Sequence, residues 1–342
     1  MKPHLISLLI LMAAAIGWIK TTAPIAEKDI LNAATKSLSL LQVSGHKFIA
    51  RSPRHCVSCH HNLLTALAED QCRQKGIPFT DTFRTERSHS TVLALKFVCN
   101  MNHPADFLPA KFPPAYALIA LHADQYAPDN TTEMTIDYLI HQQQSDGSFV
   151  AEYGRPPQEG GEAHLAALCI RAIRLYAAPT KAALVNQEVA KTRNWLNNYH
   201  SEVQQEVAFQ LLGLTWCDAA PEERTAIVNR LLQLQHPDGS WSQLTTMRGD
   251  AYATGQALYA LAESKTGKPT DEAYQKGLAW LLKTQDTTGA WIVQTRAYPI
   301  QPHFDTGFPP HDEDQFISAA ASNWATMALL DALPDPPATA KR

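Results

Sequence analysis

Apolar residues recur three and four positions apart along nearly the whole chain after Glu27. This spacing is typical of amphipathic helices, and there is essentially no alternating pattern of the kind that half-buried strands show. The pattern predicts twelve helices, or six hairpins if consecutive helices pair. The predicted helices cover residues 28–43, 60–75, 87–100, 111–126, 130–144, 161–177, 186–198, 201–216, 221–235, 250–265, 270–285 and 314–332.

A recurrent motif ends several of these helices. In the segment Lys276–Trp291, KGLAWLLKTQDTTGAW, leucines on one helix face are followed by Gln285, Gly289 and a final tryptophan. The glutamine side chain is suited to bond backbone groups left unpaired at a helix end, and the glycine is suited to a positive φ. The spacing Q-x3-G-x-aromatic returns in two earlier segments, Gln143–Phe149 and Gln235–Trp241. Such repetition indicates an architecture of repeated helical units.

The segment Lys276–Trp291 resembles the QW motif of the terpenoid cyclase and protein prenyltransferase superfamily. Lys276 and Gly277 match the opening of that motif, Gln285 matches its glutamine, and Trp291 matches its terminal aromatic. The resemblance implies an α/α toroid, in which paired helices form two concentric rings, and six hairpins close one toroid. We therefore expect an all-α chain with a single toroid over residues 27–333, whereas the squalene-hopene cyclases that it resembles use two barrels.

The predicted helices divide into two classes. Those that end in the repeated motif carry more polar residues, and we expect them in the outer ring. Three others are rich in small residues, which let helices approach closely, and we expect them in the inner ring: Gly160–Leu168, Ala251–Ala260 and Ser318–Ala325. Asn194–Leu196 and Lys36–Gln42, the latter followed by Gly45 and Phe48, look like degenerate copies of the outer-ring motif.

Composition limits the classes of function. With 342 residues, of which 45% are hydrophobic and 18% charged, the chain can bury a large core. A net charge of -4 gives no electrostatic basis for binding nucleic acid. The Pro- and Ala-rich residues 334–342 are expected to be a disordered tail.

Residues 1–26 have the features of an export signal. Lys2 precedes an apolar run, Leu5–Ile19, which has the length of a signal peptide and is short for a membrane span. We expect export across the inner membrane, with this segment either cleaved or retained as a membrane tether. The protein would then lie in the periplasm, or be anchored in the inner membrane and face the periplasm. The alternative is a buried N-terminal helix of the fold.

The segment Cys56–His60 contains Cys-x-x-Cys-His, the attachment pattern of c-type haem. Two thiols one helical turn apart can add to the two vinyl groups of the porphyrin, and the adjacent His60 can reach the iron as an axial ligand. The pattern predicts a haem-binding protein with a redox role and a redox partner of unknown identity. Candidates for the second axial ligand are His61, His89, Met101 and His103.

Other interpretations of the same cysteines remain open. Cys56 and Cys59 could form a disulfide, act as redox-active thiols, or bind zinc with His60 or His61 and a distant ligand. The segment also resembles a bacterial group of exported toroid proteins in which CVSCHH precedes QW-like repeats, and this resemblance extends to Ala297–Pro309 and Asp314–Ala320. The remaining cysteines lie in apolar helical patterns and are expected to be packed thiols: Cys72, Cys99, Cys169 and Cys217.

An enzyme acting on an isoprenoid or other apolar substrate in the toroid cavity is the first alternative, and a non-catalytic scaffold is the second. Cyclases of the squalene-hopene class use an acidic D-x-D-D motif, which His311–Asp314 does not match; those acids are expected to cap a helix. Asp218 beside Cys217 only faintly resembles a prenyltransferase zinc site. No catalytic residue is assigned, and whether the protein is an enzyme is left open.

Two further groups of residues are candidates for a site. Polar residues of the expected inner ring would face the central cavity, where they could bind a small molecule or be satisfied by neighbouring helices: His164, Asp250, Tyr252 and Gln256. The segment Ile292–Pro310 has no helical pattern and is expected to lie across one mouth of the toroid, either as a functional loop or as a simple seal. It contains Tyr298, Gln301, His303, Asp305 and Phe308.

Overall fold

The computed structural model of the protein describes residues 25–52, 55–100, 111–151, 155–267, 270–297 and 304–336. The predicted signal or anchor segment, up to residue 24, and the tail from residue 337 lie outside the described residues. Within the described ranges, no helix combines the length and the apolar character needed to cross a membrane.

The described chain is helical, and it forms twelve α-helices. Outside the helices, the same residues form two isolated β-bridges and no longer strand. A π-helical turn, Cys59–Leu63, leads directly into the second helix. The helices are α1 Glu27–Arg51, α2 Leu64–Lys75, α3 Arg84–Asn100, α4 Phe112–Ala123, α5 Asn130–Gln142, α6 Glu162–Tyr176, α7 Ala182–Asn198, α8 Gln204–Trp216, α9 Pro221–Gln233, α10 Ala251–Glu263, α11 Glu272–Thr284 and α12 Gln315–Asp331.

The helices form two concentric rings. The even-numbered helices, α2 to α12, each contact the next one, and α12 contacts α2, so the inner ring is closed. The odd-numbered helices pack outside this ring against one or two inner helices. The predicted α/α toroid of six hairpins is therefore confirmed, and so is the assignment of the helices rich in small residues to the inner ring.

The repeated motif joins neighbouring outer helices. Nε2 of Gln285 donates to the carbonyl of Gly289 in its own turn at 3.0 Å and to Ala33 of α1 at 2.9 Å. Nε2 of Gln235 makes the same pair of bonds, to Gly239 and to Ala273 of α11. The glutamine thus links its own turn to the next outer helix, besides closing the helix that it follows.

The glycine of the motif is required for the same contact. Gly147, Gly239 and Gly289 have φ values of 94°, 94° and 99°. An added Cβ on Gly239 would lie 2.5 Å from the carbonyl oxygen of Lys276 on the neighbouring helix. A side chain at this position would therefore strain the turn and also push the outer helices apart.

The first helix differs from its prediction, because α1 continues to Arg51 instead of ending near residue 43. The side chain of Gln42 closes no turn; its Nε2 donates to Oε1 of Glu69 at 2.7 Å. Gly45 lies within the helix, and a Cβ there would be 2.7 Å from the carbonyl oxygen of His61. α1 lies in the outer ring, as expected for a degenerate outer helix, but the motif roles assigned to Gln42 and Gly45 were wrong, since Gly45 serves a close approach to the turn Cys59–Leu63.

Aromatic side chains fill part of the toroid axis. The ring of Phe209 on α8 lies 5.9 Å from that of Trp324 on α12, although α10 separates these helices in the inner ring. Trp324 also contacts Tyr259 at 5.4 Å, and His164 contacts Phe209 at 4.0 Å. At this level the centre of the ring is packed with side chains.

Candidate functional site

The first turns of the inner helices lie together at one end of the toroid, which we call the N-terminal mouth. The turn before α2 carries Cys59, His60 and His61, and the ring of His60 stacks on Phe316 in the first turn of α12 at 4.8 Å. Described parts of the segment Ile292–Pro310 lie beside the start of α12, as predicted for a loop at one mouth; for example, the amide of Val293 donates to Oγ of Ser318 at 2.9 Å. Tyr298, Gln301 and His303 lie outside the described residues.

The Cys-x-x-Cys-His segment lies at the rim of this mouth. Cys56 is exposed and Cys59 is partly buried. Residues 56–58 are not helical, and the helical turn begins only at Cys59, so the segment differs from the single helical turn expected from its spacing. Ser52 Oγ holds the segment by donating to the carbonyl of Cys56 at 2.8 Å.

The electrostatic environment keeps the Cys59 thiol protonated. Burial raises the pKa of Cys59 to about 12, and the negative charge of Glu159 adds to this effect. Arg155 opposes it, but its guanidinium is paired with Glu159 through an Nε–Oε2 bond of 2.8 Å. A thiol of this kind is a poor nucleophile, which disfavours the interpretation of Cys59 as a redox-active thiolate.

A chain of hydrogen bonds fixes the tautomers of the two histidines. Gln315 Oε1 accepts from the amide of Thr306 at 3.0 Å and from Oγ1 of Thr306 at 2.8 Å. Because the hydroxyl proton of Thr306 is used in this way, Oγ1 accepts from Nε2–H of His61, at 2.9 Å. Nδ1 of neutral His61 is then an acceptor, and it lies within hydrogen-bonding distance of Nδ1 of His60.

His60 is consequently protonated on Nδ1. A second acceptor for this proton is Oγ of Ser58 at 3.2 Å, whose own hydroxyl donates to Oδ1 of Asn62 at 3.2 Å. The unprotonated nitrogen of His60 is Nε2, which carries a lone pair. This is the tautomer in which an imidazole binds a metal ion through Nε2.

Both imidazoles are neutral at physiological pH. Burial lowers the pKa of His61 to about 3. Burial and the neighbouring His61 hold the pKa of His60 well below its usual value. Apolar rings surround the pair: Phe48 lies 5.4 Å from His60 and 5.2 Å from His61, and Phe316 contacts both.

The polar residues predicted to face the cavity form a buried network at the same mouth. Nε2 of His164 bonds the hydroxyl of Tyr116 at 2.8 Å, and burial lowers the pKa of His164 to about 3. Tyr252 donates to Oε1 of Gln205 at 2.8 Å, while Gln256 contacts the same oxygen at 3.4 Å. Within the described residues these side chains pack against each other and do not line an open cavity.

Asp250 has a structural role in addition to its place at the mouth. Its Oδ1 accepts from the amide of Ala253 at 2.9 Å and so caps α10, and its Oδ2 accepts from Gln243 at 3.0 Å. Burial raises the pKa of this carboxyl to about 6. Asp250 was predicted as a residue of the site, but its capping role was not predicted.

The acidic segment His311–Asp314 also differs from its prediction. Asp314 precedes α12 but makes no side-chain cap; its Oδ1 accepts from the amide of Thr295 at 2.6 Å. The acid therefore holds the preceding loop instead of capping the helix. Asp218 forms an ion pair with Arg174 at 2.6 Å, and Cys217 beside it is buried.

Other predicted residues lie away from the site or outside the described residues. His89 is exposed on α3, and Met101 and His103 lie outside the described residues, as does the side chain of Cys99. Cys72, Cys169 and Cys217 are buried free thiols, as expected. Among the described side chains, no three His, Cys, Asp or Glu residues are grouped so that they could hold a metal ion.

Five residues of the mouth were missed by sequence reasoning. Each of them bonds a residue that is distant in sequence or that gives no sign of function by its type. None of them belongs to a recognisable sequence motif. The missed residues are Arg155, Glu159, Arg296, Thr306 and Gln315.

Solved structures share this fold. Type II terpene cyclase MstE from Scytonema matches with a TM-score of 0.57 and 15% identity, covering 90% of this chain and 99% of that chain. A variant of MstE in complex with geranylgeranyl dihydroxybenzoate matches at 0.53 and 14% identity, covering 90% and 98%. A glycosidase variant in complex with glucose matches at 0.57 and 9% identity, also covering 90% and 98%. No family model and no curated protein match the sequence. At these identities the similarity establishes the α/α-toroid fold.

Proposed function

We propose that this α/α toroid is an exported redox or electron-transfer protein that carries c-type haem at its N-terminal mouth. Cys56 and Cys59 are the attachment points, and His60 is an axial ligand of the iron. The proposal also includes a location in the periplasm, either free or tethered to the inner membrane, because haem attachment takes place outside the cytoplasm and residues 1–26 resemble an export signal.

The observation that carries the proposal is the protonation state of His60. The chain from Gln315 through Thr306 and His61 leaves Nε2 of His60 as the lone-pair nitrogen, and His60 directly follows Cys59 of the attachment pattern in the sequence. Ligation needs a neutral imidazole, and the lowered pKa of His60 supplies one without a competing proton.

The residues around the motif suit a porphyrin. Phe316, which is partly exposed, offers aromatic surface beside His60, and Cys56 is exposed and accessible to attachment enzymes. When bound, haem iron supplies one-electron redox chemistry. Within this framework the chain's own residues orient the axial imidazole and shield it from water. Zinc fits less well, because the described side chains offer no group of three ligands.

The test is an optical spectrum of the full chain produced in a bacterial host that matures c-type cytochromes. We expect a c-type pyridine-haemochrome spectrum and haem that stays with the denatured chain. Cys56→Ala/Cys59→Ala should lose the covalent haem, while the matched control Cys72→Ala, at the other end of α2, should keep it. A folded, colourless wild-type protein would overturn the proposal, and a Cys56–Cys59 disulfide in that protein would favour the scaffold alternative.

The structural similarity to a terpene cyclase favours a second candidate, an enzyme that acts on an isoprenoid or other apolar substrate. The rings of Phe209 and Trp324 occupy the axis at their level, so the proposed substrate would bind at another level of the toroid. Organic extraction of the purified protein followed by mass spectrometry tests this candidate. A stoichiometric prenyl or acyl compound supports it, and its absence together with covalent haem counts against it.

A further inference from the structure

Arg296 lies at the N-terminal mouth beside the start of α12. The adjacent Thr295 is fixed there because its amide donates to Oδ1 of Asp314, the residue before α12, at 2.6 Å. His60 stacks on Phe316 in the first turn of the same helix. Arg296 and His60 thus both lie beside the start of α12.

The orientation of the Arg296 guanidinium is set by a hydrogen bond to Gln243, whose side chain is itself held by Asp250. Nε of Arg296 donates to Oε1 of Gln243 at 2.7 Å. Gln243 is 1% exposed, and its Nε2 donates to Oδ2 of Asp250 at 3.0 Å. The Gln243 amide therefore cannot rotate without losing one of these bonds, and it holds one edge of the guanidinium in place.

Within the described residues, the charge of Arg296 is not matched by an ion pair. Arg155 pairs with Glu159, and Arg87 pairs with Glu69 and Asp124. Among the described residues no carboxylate forms an ion pair with Arg296, although the guanidinium is partly buried; Asp250 acts on it only at longer range. Burial lowers the pKa of Arg296 from its usual value, which means that the site does not fully replace the lost solvation of the cation.

Within the described part of the chain, the two terminal N–H₂ groups of Arg296 make no hydrogen bond and are available to a ligand. A guanidinium with one edge anchored and the other free matches the geometry of a carboxylate, which can accept two parallel hydrogen bonds.

We propose that Arg296 binds the carboxylate of a ligand held at the N-terminal mouth. If the ligand is haem, the carboxylate is a propionate, and in that form the inference rests on the proposed function. An acyl or prenyl acid would present the same group to Arg296, so the experiment has to distinguish these two sources.

The test measures binding of metal-free protoporphyrin IX and of its dimethyl ester to the full-length apoprotein, by quenching of tryptophan fluorescence. Without iron, neither axial ligation nor covalent attachment contributes. We expect the diacid to bind about tenfold more tightly than the ester, the effect of one charge-assisted contact. Arg296→Gln should abolish that preference, and Arg248→Gln, an exposed arginine in a neighbouring loop, should retain it.

Palmitate provides the second arm. Binding of palmitate that Arg296→Gln weakens, with no preference for the porphyrin diacid and no covalent haem in the matured protein, would support the carboxylate site and refute haem as its ligand. Covalent haem together with an unchanged preference in Arg296→Gln would refute the role of Arg296 and leave the haem proposal standing. Failure of the wild-type protein to bind either acid would overturn the inference.

Discussion

The carboxylate of Glu206 occupies the space where Gly161 would otherwise carry a side chain: an added Cβ would lie 1.8 Å from Oε1 of Glu206. Glu206 comes from the first turn of α8, yet it caps the neighbouring helix α6, accepting from the amide of Ala163 at 2.9 Å and of His164 at 3.4 Å. The inner ring is therefore joined at the mouth by a cap that one helix supplies to another.

Gly161→Ala should destabilise the protein by about 2–4 kcal/mol, because the new Cβ displaces the Glu206 cap and the backbone has a φ of 95°. Chemical denaturation measures this free energy. Gly76→Ala is the matched control, since Gly76 also has a positive φ, 67°, but nothing within 4 Å of the added Cβ. Only its backbone strain remains, about 1 kcal/mol. Equal losses for the two variants would mean that the cap contributes nothing.

Gln285→Ala should cost about 1–3 kcal/mol, because the carbonyls of Ala33 and Gly289 lose their donor where α11 meets α1. Gln294→Ala, on an exposed position a few residues later, should leave the free energy of unfolding nearly unchanged. If thermal or chemical unfolding cannot distinguish these variants, the motif glutamine does not hold the outer ring together.

Trp324 tests the packing of the toroid axis. Trp324→Ala should cost about 3–5 kcal/mol by leaving a cavity against Phe209 and Tyr259. Trp324→Phe should cost less than about 1.5 kcal/mol, because the buried indole Nε1 has no hydrogen-bond partner among the described residues to lose. Similar losses for both substitutions in denaturant titrations would show that a phenyl ring cannot replace the packing of the indole.

Thr306→Val should disturb the histidine tautomers, because Nε2–H of His61 loses its acceptor. The ¹⁵N chemical shifts of the imidazoles should show that His60 carries its proton on Nδ1 in the wild-type apoprotein. In the variant, the population of His60 protonated on Nε2 should increase. Thr306→Ser keeps the hydroxyl and should resemble the wild type. Unchanged shifts in Thr306→Val would contradict the hydrogen-bond chain.

Asp250 should make stability depend on pH. Its folded-state pKa of about 6 exceeds the ordinary value of 3.8, so the folded protein binds the additional proton. The contribution to stability is therefore fully present below pH 3.8 and is lost as the pH rises through about 6, by at most about 3 kcal/mol. Asp250→Asn retains a capping side chain and should flatten this part of the unfolding free energy profile between pH 4 and 7. A wild-type slope that persists in the variant would assign the titration to another group.

The sequence predicted the architecture well because the repeated motif is local. Gln235, Gly239 and Trp241 lie within one turn, and their spacing alone specifies the helix end. The prediction for α1 failed because Gln42 and Gly45 fit the motif by residue type, while their actual partners, Glu69 and His61, come from later in the chain.

The site could be predicted only in part. Cys56, Cys59 and His60 form a contiguous motif, so sequence reasoning found them. Thr306, which determines the tautomer of His61, is 245 positions away from it. A threonine in an irregular loop carries no signal of that role, since only folding brings its hydroxyl to the imidazole.

Closure of the toroid has a consequence for synthesis of the chain. The last helix, α12, contacts α10, α2 and α1, so it fills the gap between the final and the first hairpins. Until the ribosome has released the residues of α12, the emerging polypeptide exposes the apolar faces of those three helices. Contacts between the two ends of the chain are slow to form, because the loop that separates them is long. Completion of the ring therefore depends on the synthesis of α12, and a chain terminated before this helix would expose these apolar faces to chaperones and proteases.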